Sequence, residues 1–433
     1  MKKRMLLGAL LVCAAAAVGT TALAGSSKNS VTALPSSSCG KLQYSGSGSP
    51  QYVIASDLPL QGSNRALTTE MARAVQFILG QDKWMAGKYS IGFQSCDDST
   101  VAAGGYDTAK CTANANAYAA DTSVIGIVGT FNSGCAKIEI PINNRASVAM
   151  VSPSNTYPGL TVKLTPGTAP GEPGIYYPTG KRNYARVVWT DVSQAAADVV
   201  LAHDQLKLKD VYILTDKTTY GAGIAGLFKT DGPKYGVKIA GYQPWDVNGT
   251  SFQSLATAVK QSGADGVFLG GNVCFQGGKV IKDLRSVLGA NFPIIVPDGF
   301  TPASATYTTS GGTAVGVYVS QPGVPTNQLK GAGKTFATAF AKVNGGKAPD
   351  PYTAYAAQAT EVLLGAIAAS DGTRAGVVSH LTNLAITNGI LGNFKINSAG
   401  DTTLGIVTIQ QVDKSKTNQH FVTLITPPKN LTG

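Results

Sequence analysis

Small hydroxyl and amide side chains, with one aspartate, recur where short apolar segments of this sequence end. Ser133 follows the run 124–128, Thr156 follows 149–151, and Asp298 follows 293–296. In open parallel α/β sheets, ligands bind outside the carboxyl ends of the strands, where helix N-termini direct free N–H groups at anions. The hydroxyl groups suit a carboxylate and the aspartate suits an ammonium, so the pattern predicts a clamp for a zwitterion. The candidate binding residues are Ser133, Ser154, Asn155, Thr156, Tyr220, Asn272 and Asp298.

Catalytic residues are not evident in the same sequence. A hydrolase requires a nucleophile with a base in reach. Cys135 lies at a strand-to-helix turn, but the sequence lacks Gly-x-Ser-x-Gly, and its three histidines stand in unrelated contexts: His203, His380 and His420. We therefore expect a binding protein with no catalytic residue, and retain an amidase-type hydrolase using Cys135 or Ser133 as the enzymatic alternative.

Two glycine-rich motifs resemble nucleotide-binding loops without meeting their requirements. Residues 221–226 spell GxGxxG, but residues 216–220 separate the strand from the first glycine, and the following strand ends without the acid that binds a ribose. Residues 331–335 resemble the end of a phosphate loop, but Gln328 stands where the first glycine is required. With no CxxC and no Cys/His cluster, we expect no cofactor and no metal.

The N-terminal residues resemble an export signal. A basic segment, 2–4, precedes an apolar run, 5–18, and small residues then predict cleavage after Ala24. A lipid anchor on Cys13 and an uncleaved membrane anchor are the alternatives, although Val12 is bulky for a lipoprotein signal. We expect the protein outside the cytoplasmic membrane, in the periplasm or at the cell surface.

Composition and charge are those of a folded chain with no nucleic-acid partner. The 433 residues suffice for two domains, and 43% hydrophobic with 14% charged residues excludes wholesale disorder. Loss of the three basic signal residues takes the formal net charge from +11 to +8, and the remaining lysines are scattered. Scattered charge favours solubility or attraction to an anionic envelope over nucleic-acid binding.

Cleavage after Ala24 would leave five of the six cysteines, and export permits disulfides. Cys96 and Cys111 bracket a polar, glycine-containing loop, so we predict a Cys96–Cys111 bridge. The sequence does not pair the other three, which are Cys39, Cys135 and Cys274.

Short apolar strands alternate with helices of ten or more residues in two successive series. One series begins at Tyr52 after the Ser- and Gly-rich segment 25–50, and the other begins at Arg186. Such alternation predicts parallel sheets covered on both faces. We expect two doubly wound α/β sheets, a β-rich C-terminal segment at 394–425, and a flexible tether at 25–50.

The segment from Ile125 to Thr161 resembles the leucine/isoleucine/valine-binding family of periplasmic receptors for ABC transporters. A glycine-containing apolar strand leads to a Ser-Gly turn, and Ser-Pro-x-x-Thr-x-Pro-x-Leu-Thr follows at 152–161. The resemblance spans about 50–425 and is specific because its fragments occur in order. The further fragments are Pro59 to Gly62, Asp97-Asp98, Asp216 with Tyr220-Gly221, Gly270-Gly271 and Pro297-Asp298-Gly299.

This resemblance implies a type I periplasmic binding fold, in which two doubly wound parallel-sheet lobes are joined by a three-strand hinge. The hinge crossings are expected near Thr190, Ser320 and Asn393. The expected limits are 1–24 for the signal peptide, 25–50 for the tether, 51–190 with 321–393 for lobe 1, and 191–320 with 394–430 for lobe 2. It also implies a monomer that delivers a small solute to a membrane permease, with an extracellular sensor on the same fold as the alternative.

The resemblance further assigns roles to the candidate residues. Ser133 and Thr156 hold the ligand carboxylate with backbone N–H groups, and Ser154 and Asn155 lie beside the same group. Tyr220 closes over the ligand from the second lobe, Asp298 takes the ammonium, and Leu67 touches the ligand side chain.

Two departures bear on specificity. Asn272 replaces an aromatic residue that often follows the Gly-Gly pair, and Asp298 is one methylene shorter than the usual glutamate. A polar amino acid, an amide or another small amine-bearing solute is therefore as well supported as a branched-chain amino acid.

Overall fold

The computed structural model describes residues 31–165, 167–415 and 417–432. The expected signal peptide and the first part of the expected tether, to residue 30, lie outside the described residues. None of the helices described is long and apolar enough to cross a membrane.

The first sheet has the strand order β2-β3-β1-β4-β5-β6, and all neighbours are parallel except β2 and β3. Its strands are β1 (Tyr52–Leu58), β2 (Met85–Ala86), β3 (Tyr89–Asp97), β4 (Val124–Gly129), β5 (Ala149–Ser152) and β6 (Tyr184–Arg186). All of β4 and β5 is buried, as expected of central parallel strands covered by helices on both faces.

The second sheet has the order β15-β14-β11-β10-β9-β7-β8, with antiparallel pairing only at β11-β14-β15. Its first strands are β7 (Asp210–Thr215), β8 (Lys238–Pro244), β9 (Gly266–Gly270), β10 (Ile294–Val296) and β11 (Tyr318–Pro322). A separate hairpin of β12 (Leu384–Gly389) and β13 (Gly392–Ile396) precedes β14 (Val407–Val412) and β15 (Gln419–Ile425). The prediction of two largely parallel, doubly wound sheets is confirmed.

Helices flank both sheets. Those of the first half are α1 (Arg65–Gln81), α2 (Thr108–Ala120), α3 (Ser133–Arg145), α4 (Asp191–Val200), α5 (Thr219–Asp231) and α6 (Gln253–Ser262). The remainder are α7 (Gly278–Leu288), α8 (Ala303–Thr309), α9 (Gly331–Val343), α10 (Pro351–Ala369), α11 (Arg374–Ser379) and α12 (Lys429–Thr432).

Helix α10 follows α9 on the side of the first sheet. Pro351 occupies its first turn, and the Asp350 carboxylate caps it by accepting from the Tyr352 N–H at 3.1 Å. The helix packs against α1 and the central strands β4 and β5. A Cβ on Gly126 of β4 would lie 2.7 Å from Leu363 of α10, so the glycine permits this close approach.

Three connections join the two sheets. Residues 187–190 lead from β6 to α4, 323–330 lead from β11 to α9, and 397–406 lead from β13 to β14. The second and third connections come slightly after the expected crossings near Ser320 and Asn393, because Ser320 lies inside β11 and Asn393 lies inside β13.

The disulfides are Cys39–Cys96 and Cys111–Cys135, with Cys274 free. The predicted Cys96–Cys111 bridge is therefore wrong. Helices α2 and α3 pack side by side and bring Cys111 to Cys135, while Cys39 pairs as an isolated bridge with Cys96 on β3.

The expected tether also needs correction over its described part. Gln43 forms a second isolated bridge, with Phe93 of β3, and Leu34 is buried with its N–H donating to Gln94 Oε1 at 2.8 Å. The segment from 34 to 43 is thus fastened to the first sheet by the disulfide, by backbone pairing and by apolar burial.

Candidate functional site

A small cavity lies where the carboxyl ends of the two sheets face each other. Six of the eight predicted site residues line it, which are Ser133, Ser154, Thr156, Tyr220, Asn272 and Asp298, with Phe131, Asn132 and Gly299 beside them. Its volume of about 20 Å³ is close to the space of one water molecule. Any larger solute therefore requires the two sides to separate before it enters.

Hydrogen-bond donors are available on the first-sheet side of the cavity. Ser133 is the first residue of α3, where the leading N–H groups have no acceptor within the helix. Its Oγ accepts from the Tyr157 N–H at 3.3 Å, which leaves the Ser133 O–H free to donate. Thr156 Oγ1 is buried and makes no hydrogen bond of normal geometry in the described part of the chain, and the buried carboxyl of Asp191 lies near it. These groups and the helix N-terminus together favour an anion.

Ser154 and Asn155, which precede Thr156, hold the loop after β5 in place by hydrogen bonds to the neighbouring loop. Ser154 Oγ donates to the Phe131 carbonyl at 3.2 Å, and Asn155 Nδ2 donates to the same oxygen at 2.9 Å. The Tyr184 hydroxyl donates to Asn155 Oδ1 at 3.1 Å. Ser154 lines the cavity with its hydroxyl already engaged, whereas Asn155 is fully buried behind the loop and does not line the cavity.

Arg186, which sequence reasoning did not select, holds the same loop from the end of β6. This fully buried guanidinium donates to the carbonyls of Asn155 and Tyr157, each at 2.9 Å, and forms a 2.7 Å ion pair with Asp401. The available signal was a charged residue beside the apolar run 187–189, which is unusual unless the charge is paired. Its partner Asp401 is distant in sequence and lies on the third connection.

Asp298 forms the centre of the second-sheet side. Its Oδ1 accepts from the Tyr220 hydroxyl at 2.6 Å, and its Oδ2 accepts from the Tyr352 hydroxyl of α10. Burial raises the pKa of Asp298, and the two phenol hydrogen bonds partly offset that rise. Tyr352 was missed because its sequence position, at the start of a helix packed on the other sheet, gives no indication that it reaches Asp298.

Asn272 presents an acceptor to the cavity. Asp216 Oδ2 accepts from both its backbone N–H, at 2.9 Å, and its side-chain Nδ2, at 3.0 Å. No described residue donates to Asn272 Oδ1, and a Cβ on Gly299 would lie 3.0 Å from that oxygen. The second side of the cavity therefore offers the Asn272 oxygen and the Asp298 carboxylate to a ligand that donates hydrogen bonds.

The structure does not bring Leu67 to the cavity. Leu67 is on α1, only 3% exposed, and belongs to the apolar core between that helix and the first sheet. The ligand-contact role implied by the resemblance thus has no geometric support at this position.

One of the two nucleophiles considered for an amidase-type hydrolase, Cys135, is not available as a thiol. Cys135 is in the disulfide with Cys111 and has no thiol. All three histidines are exposed, away from the buried Ser133. Within 31–165, 167–415 and 417–432, the one group with metal-ligand spacing is Asp98 with Cys111 and Cys135, whose sulfurs are bonded to each other.

Comparisons with known proteins agree with this architecture. Residues 98–417 match the sequence model of a family described as periplasmic binding protein. An amino acid binding protein of Pseudomonas aeruginosa is 27% identical over 250 residues, which cover 57% of this chain and 60% of that protein. A Leu/Ile/Val-binding protein homolog of Brucella abortus is 24% identical over 371 residues, covering 84% and 91% of the two chains.

Among solved structures, a leucine binding protein of Thermotoga maritima superposes with a TM-score of 0.75 at 20% identity. The match covers 87% of this chain and 99% of that one. At this identity the likeness shows the fold: two α/β lobes of the type I periplasmic binding class, as expected. The alignment with the Pseudomonas protein spans less than two thirds of that relative's length.

Proposed function

Because this chain belongs to the periplasmic binding protein family, we propose that it captures an amino acid or a related small polar solute between its two lobes and delivers it to the permease of an ABC transporter. The observation that carries the proposal is the opposition of donors and acceptors across one cavity. Ser133 and Thr156 face it from one side, and Asn272 and Asp298 face it from the other.

The proposed ligand is a zwitterion or an amide. Its carboxylate, or the carbonyl of an amide, accepts from the Ser133 hydroxyl, the Thr156 hydroxyl and the N-terminus of α3. Its ammonium or amide N–H groups donate to Asp298 and to Asn272 Oδ1. A hydrogen bond to a charged partner contributes about 1.5–3 kcal/mol, so these polar contacts can supply much of the affinity.

Capture proceeds by hinge closure between the lobe built on the first sheet and the lobe built on the second, with the connections 187–190, 323–330 and 397–406 as the hinge. The ligand binds one lobe first, and its contacts with the second lobe then favour the closed form by the difference in its affinity for the two states. The permease recognises the closed form. In keeping with its family, the protein works outside the cytoplasmic membrane, and we propose that it does so as a monomer with its signal peptide removed after Ala24.

A thermal-shift screen of the mature protein tests the ligand class. Amino acids, amides, small amines and carboxylates are compared, since a ligand at 100 times its Kd adds about 2.7 kcal/mol of stability. We expect zwitterions or amides to raise the melting temperature of the wild type by clearly more than that of Asp298→Asn. The matched control is Asp246→Asn, an exposed aspartate outside the cavity. Equal shifts in both variants would remove Asp298 from the site.

A sensor on the same fold would bind the ligand in the same way, so transport needs its own test. Uptake of the labelled hit by cells that express the protein with its permease should fall when the protein is deleted. Uptake that is unchanged, with altered transcription instead, would assign the protein to sensing.

A further inference from the structure

A second cavity lies at the connections between the two sheets, away from the proposed solute site. It has a volume of about 320 Å³, and all three connections contribute to its wall. We call it the hinge cavity, and its defining residues are Trp189 of the first connection, Gly323 and Val324 of the second, Leu404 and Ile406 of the third, and Tyr355 of α10.

The hinge cavity is lined without a single charged side chain. Apart from Thr326, Thr403 and the two aromatic residues with polar atoms, its lining is aliphatic or glycine. The Thr326 hydroxyl donates to the Pro349 carbonyl at 2.9 Å, and Thr403 Oγ1 accepts from the Lys395 N–H at 2.9 Å. The Thr326 donor is therefore used, Thr403 keeps its O–H, and the largely apolar cavity suits an uncharged occupant.

Two aromatic residues give this apolar cavity a polar feature. Tyr355 is 2% exposed and Trp189 is 3% exposed, yet neither the phenol O–H nor the indole N–H has an acceptor among the described residues. The Tyr355 hydroxyl lies against the second connection, because a Cβ on Gly323 would be 2.5 Å from it. Both polar atoms keep some access to water, and both residues line the cavity, so an occupant with an acceptor would replace water at these two donors.

The volume also matches a small-molecule site. An apolar cavity of about 150 Å³ accommodates benzene, and ligand pockets begin at roughly 300 Å³. We propose that the hinge cavity binds an uncharged apolar molecule of about ten heavy atoms that carries one oxygen acceptor, such as a medium-chain ketone or ester.

Occupancy of the hinge cavity also biases the lobe closure of the proposed function, on which this second part of the inference rests. The Gly323 N–H donates to the Ile406 carbonyl at 3.0 Å, so the second and third connections are joined at the cavity wall. Lobe rotation changes the backbone angles of these connections and hence the shape of the cavity. An occupant that fits one shape better shifts the open–closed equilibrium toward that shape.

The probe for binding is 2-nonanone, titrated by calorimetry into the purified mature protein. Gly405→Leu adds an apolar side chain at the cavity wall, and its Cβ has room there because it meets nothing within 4 Å. The control is Gly365→Leu on the exposed face of α10, where a Cβ also meets nothing. We expect 1:1 binding to the wild type and to Gly365→Leu, and at least a tenfold loss in Gly405→Leu.

Tyr355→Phe is a second variant, which removes only the hydroxyl and keeps the ring in the cavity wall. Loss of one neutral hydrogen bond should weaken 2-nonanone binding by roughly 3- to 10-fold. Binding that is equally strong in Gly405→Leu, or no binding to the wild type up to the solubility limit, would overturn the site.

Small-angle X-ray scattering tests the coupling separately from the binding. Saturating 2-nonanone should change the radius of gyration of the wild type and not that of Gly405→Leu. Binding with an unchanged radius would overturn the coupling and keep the site. Because calorimetry needs no solute in the interlobe cavity, failure of the proposed function is distinguishable from failure of the hinge cavity.

Discussion

The hydroxyl of Tyr352 donates a hydrogen bond to the carboxylate of Asp298 beside the cavity between the two sheets. Tyr352 begins a helix that packs on the first sheet, while Asp298 directly follows the second-sheet strand β10. The other carboxylate oxygen accepts from Tyr220 on its own side. Asp298 therefore links the two sides of the protein at the position where we propose that it binds an ammonium group.

Loss of the hydrogen bond between Tyr352 and Asp298 should change the overall shape of the protein. In Tyr352→Phe, the contact between the two sides is lost, and a bond to a charged partner is typically worth about 1.5–3 kcal/mol. We expect a larger radius of gyration than in the wild type by small-angle X-ray scattering without added solute. Tyr307→Phe, which removes a hydroxyl far from the cavity, should leave the radius unchanged. An unchanged radius in Tyr352→Phe would mean that this bond does not hold the closed form.

Asp298→Ala tests the ammonium site. Removal of the carboxylate should weaken binding of a zwitterionic hit by about 1.5–3 kcal/mol, measured by titration calorimetry. A carboxylate ligand without an ammonium should lose much less. If both classes keep their affinity, the aspartate acts in closure alone.

Ser133→Ala tests the anion side of the same site. The lost hydroxyl should cost about 1 kcal/mol, because the neighbouring helix N–H groups still bind the carboxylate. Ser262→Ala, a serine at the end of a second-sheet helix, is the control. Titration calorimetry that gives the two variants the same Kd would contradict the assignment.

Asp98 predicts a pH dependence of stability. Both of its carboxylate oxygens are buried without a hydrogen-bond partner, and burial, with the charges of Asp57 and Asp97, raises the pKa of Asp98 well above its ordinary value. Below the ordinary pKa both states are protonated. Above it only the unfolded chain releases the proton, so this carboxyl lowers stability as pH rises toward its folded pKa.

Asp98→Asn cannot ionise and should remove this part of the pH dependence. We expect it to unfold in urea much like the wild type at pH 4 and to be more stable than the wild type at pH 8, because only the wild-type carboxyl ionises more readily in the unfolded chain; each unit of difference in pKa is worth about 1.4 kcal/mol. Buried acids such as Glu139, whose pKa the Asp98 charge raises, contribute to the same difference, whereas acids remote from Asp98 cancel in the comparison. Parallel stability–pH curves would show that Asp98 ionises as freely when folded as when unfolded.

The Cys39–Cys96 disulfide predicts a loss of stability on removal. Its cysteines are 57 residues apart, and closing such a loop restricts the unfolded chain, which typically stabilises a protein by about 2–4 kcal/mol. Replacing both cysteines with serine should lower the free energy of unfolding, measured in urea, by that amount and expose the 34–43 segment to limited proteolysis. Cys274→Ser removes a free cysteine and should leave both measurements unchanged.

Local rules explain why much of the site could be predicted. Ser133, Thr156 and Asp298 each follow a buried parallel strand, and the carboxyl ends of such strands meet at one edge of a sheet. The order of short motifs along the chain then indicated two such edges facing each other. The sequence by itself thus determined the α/β class, the number of sheets and six residues of the cavity lining.

Contacts between distant elements were decided by the tertiary structure. The reach of Tyr352 to Asp298, the pairing of Arg186 with Asp401 and the partner of Cys96 depend on how helices and segments pack over the sheets. The spacing of residues along the chain does not indicate such long-range contacts. The sequence also did not predict which way side chains point. Leu67 and Asn155 stand at the expected positions in the chain but face the protein interior. Strand periodicity fixes which residues lie at an edge, whereas packing in three dimensions fixes which of them meet.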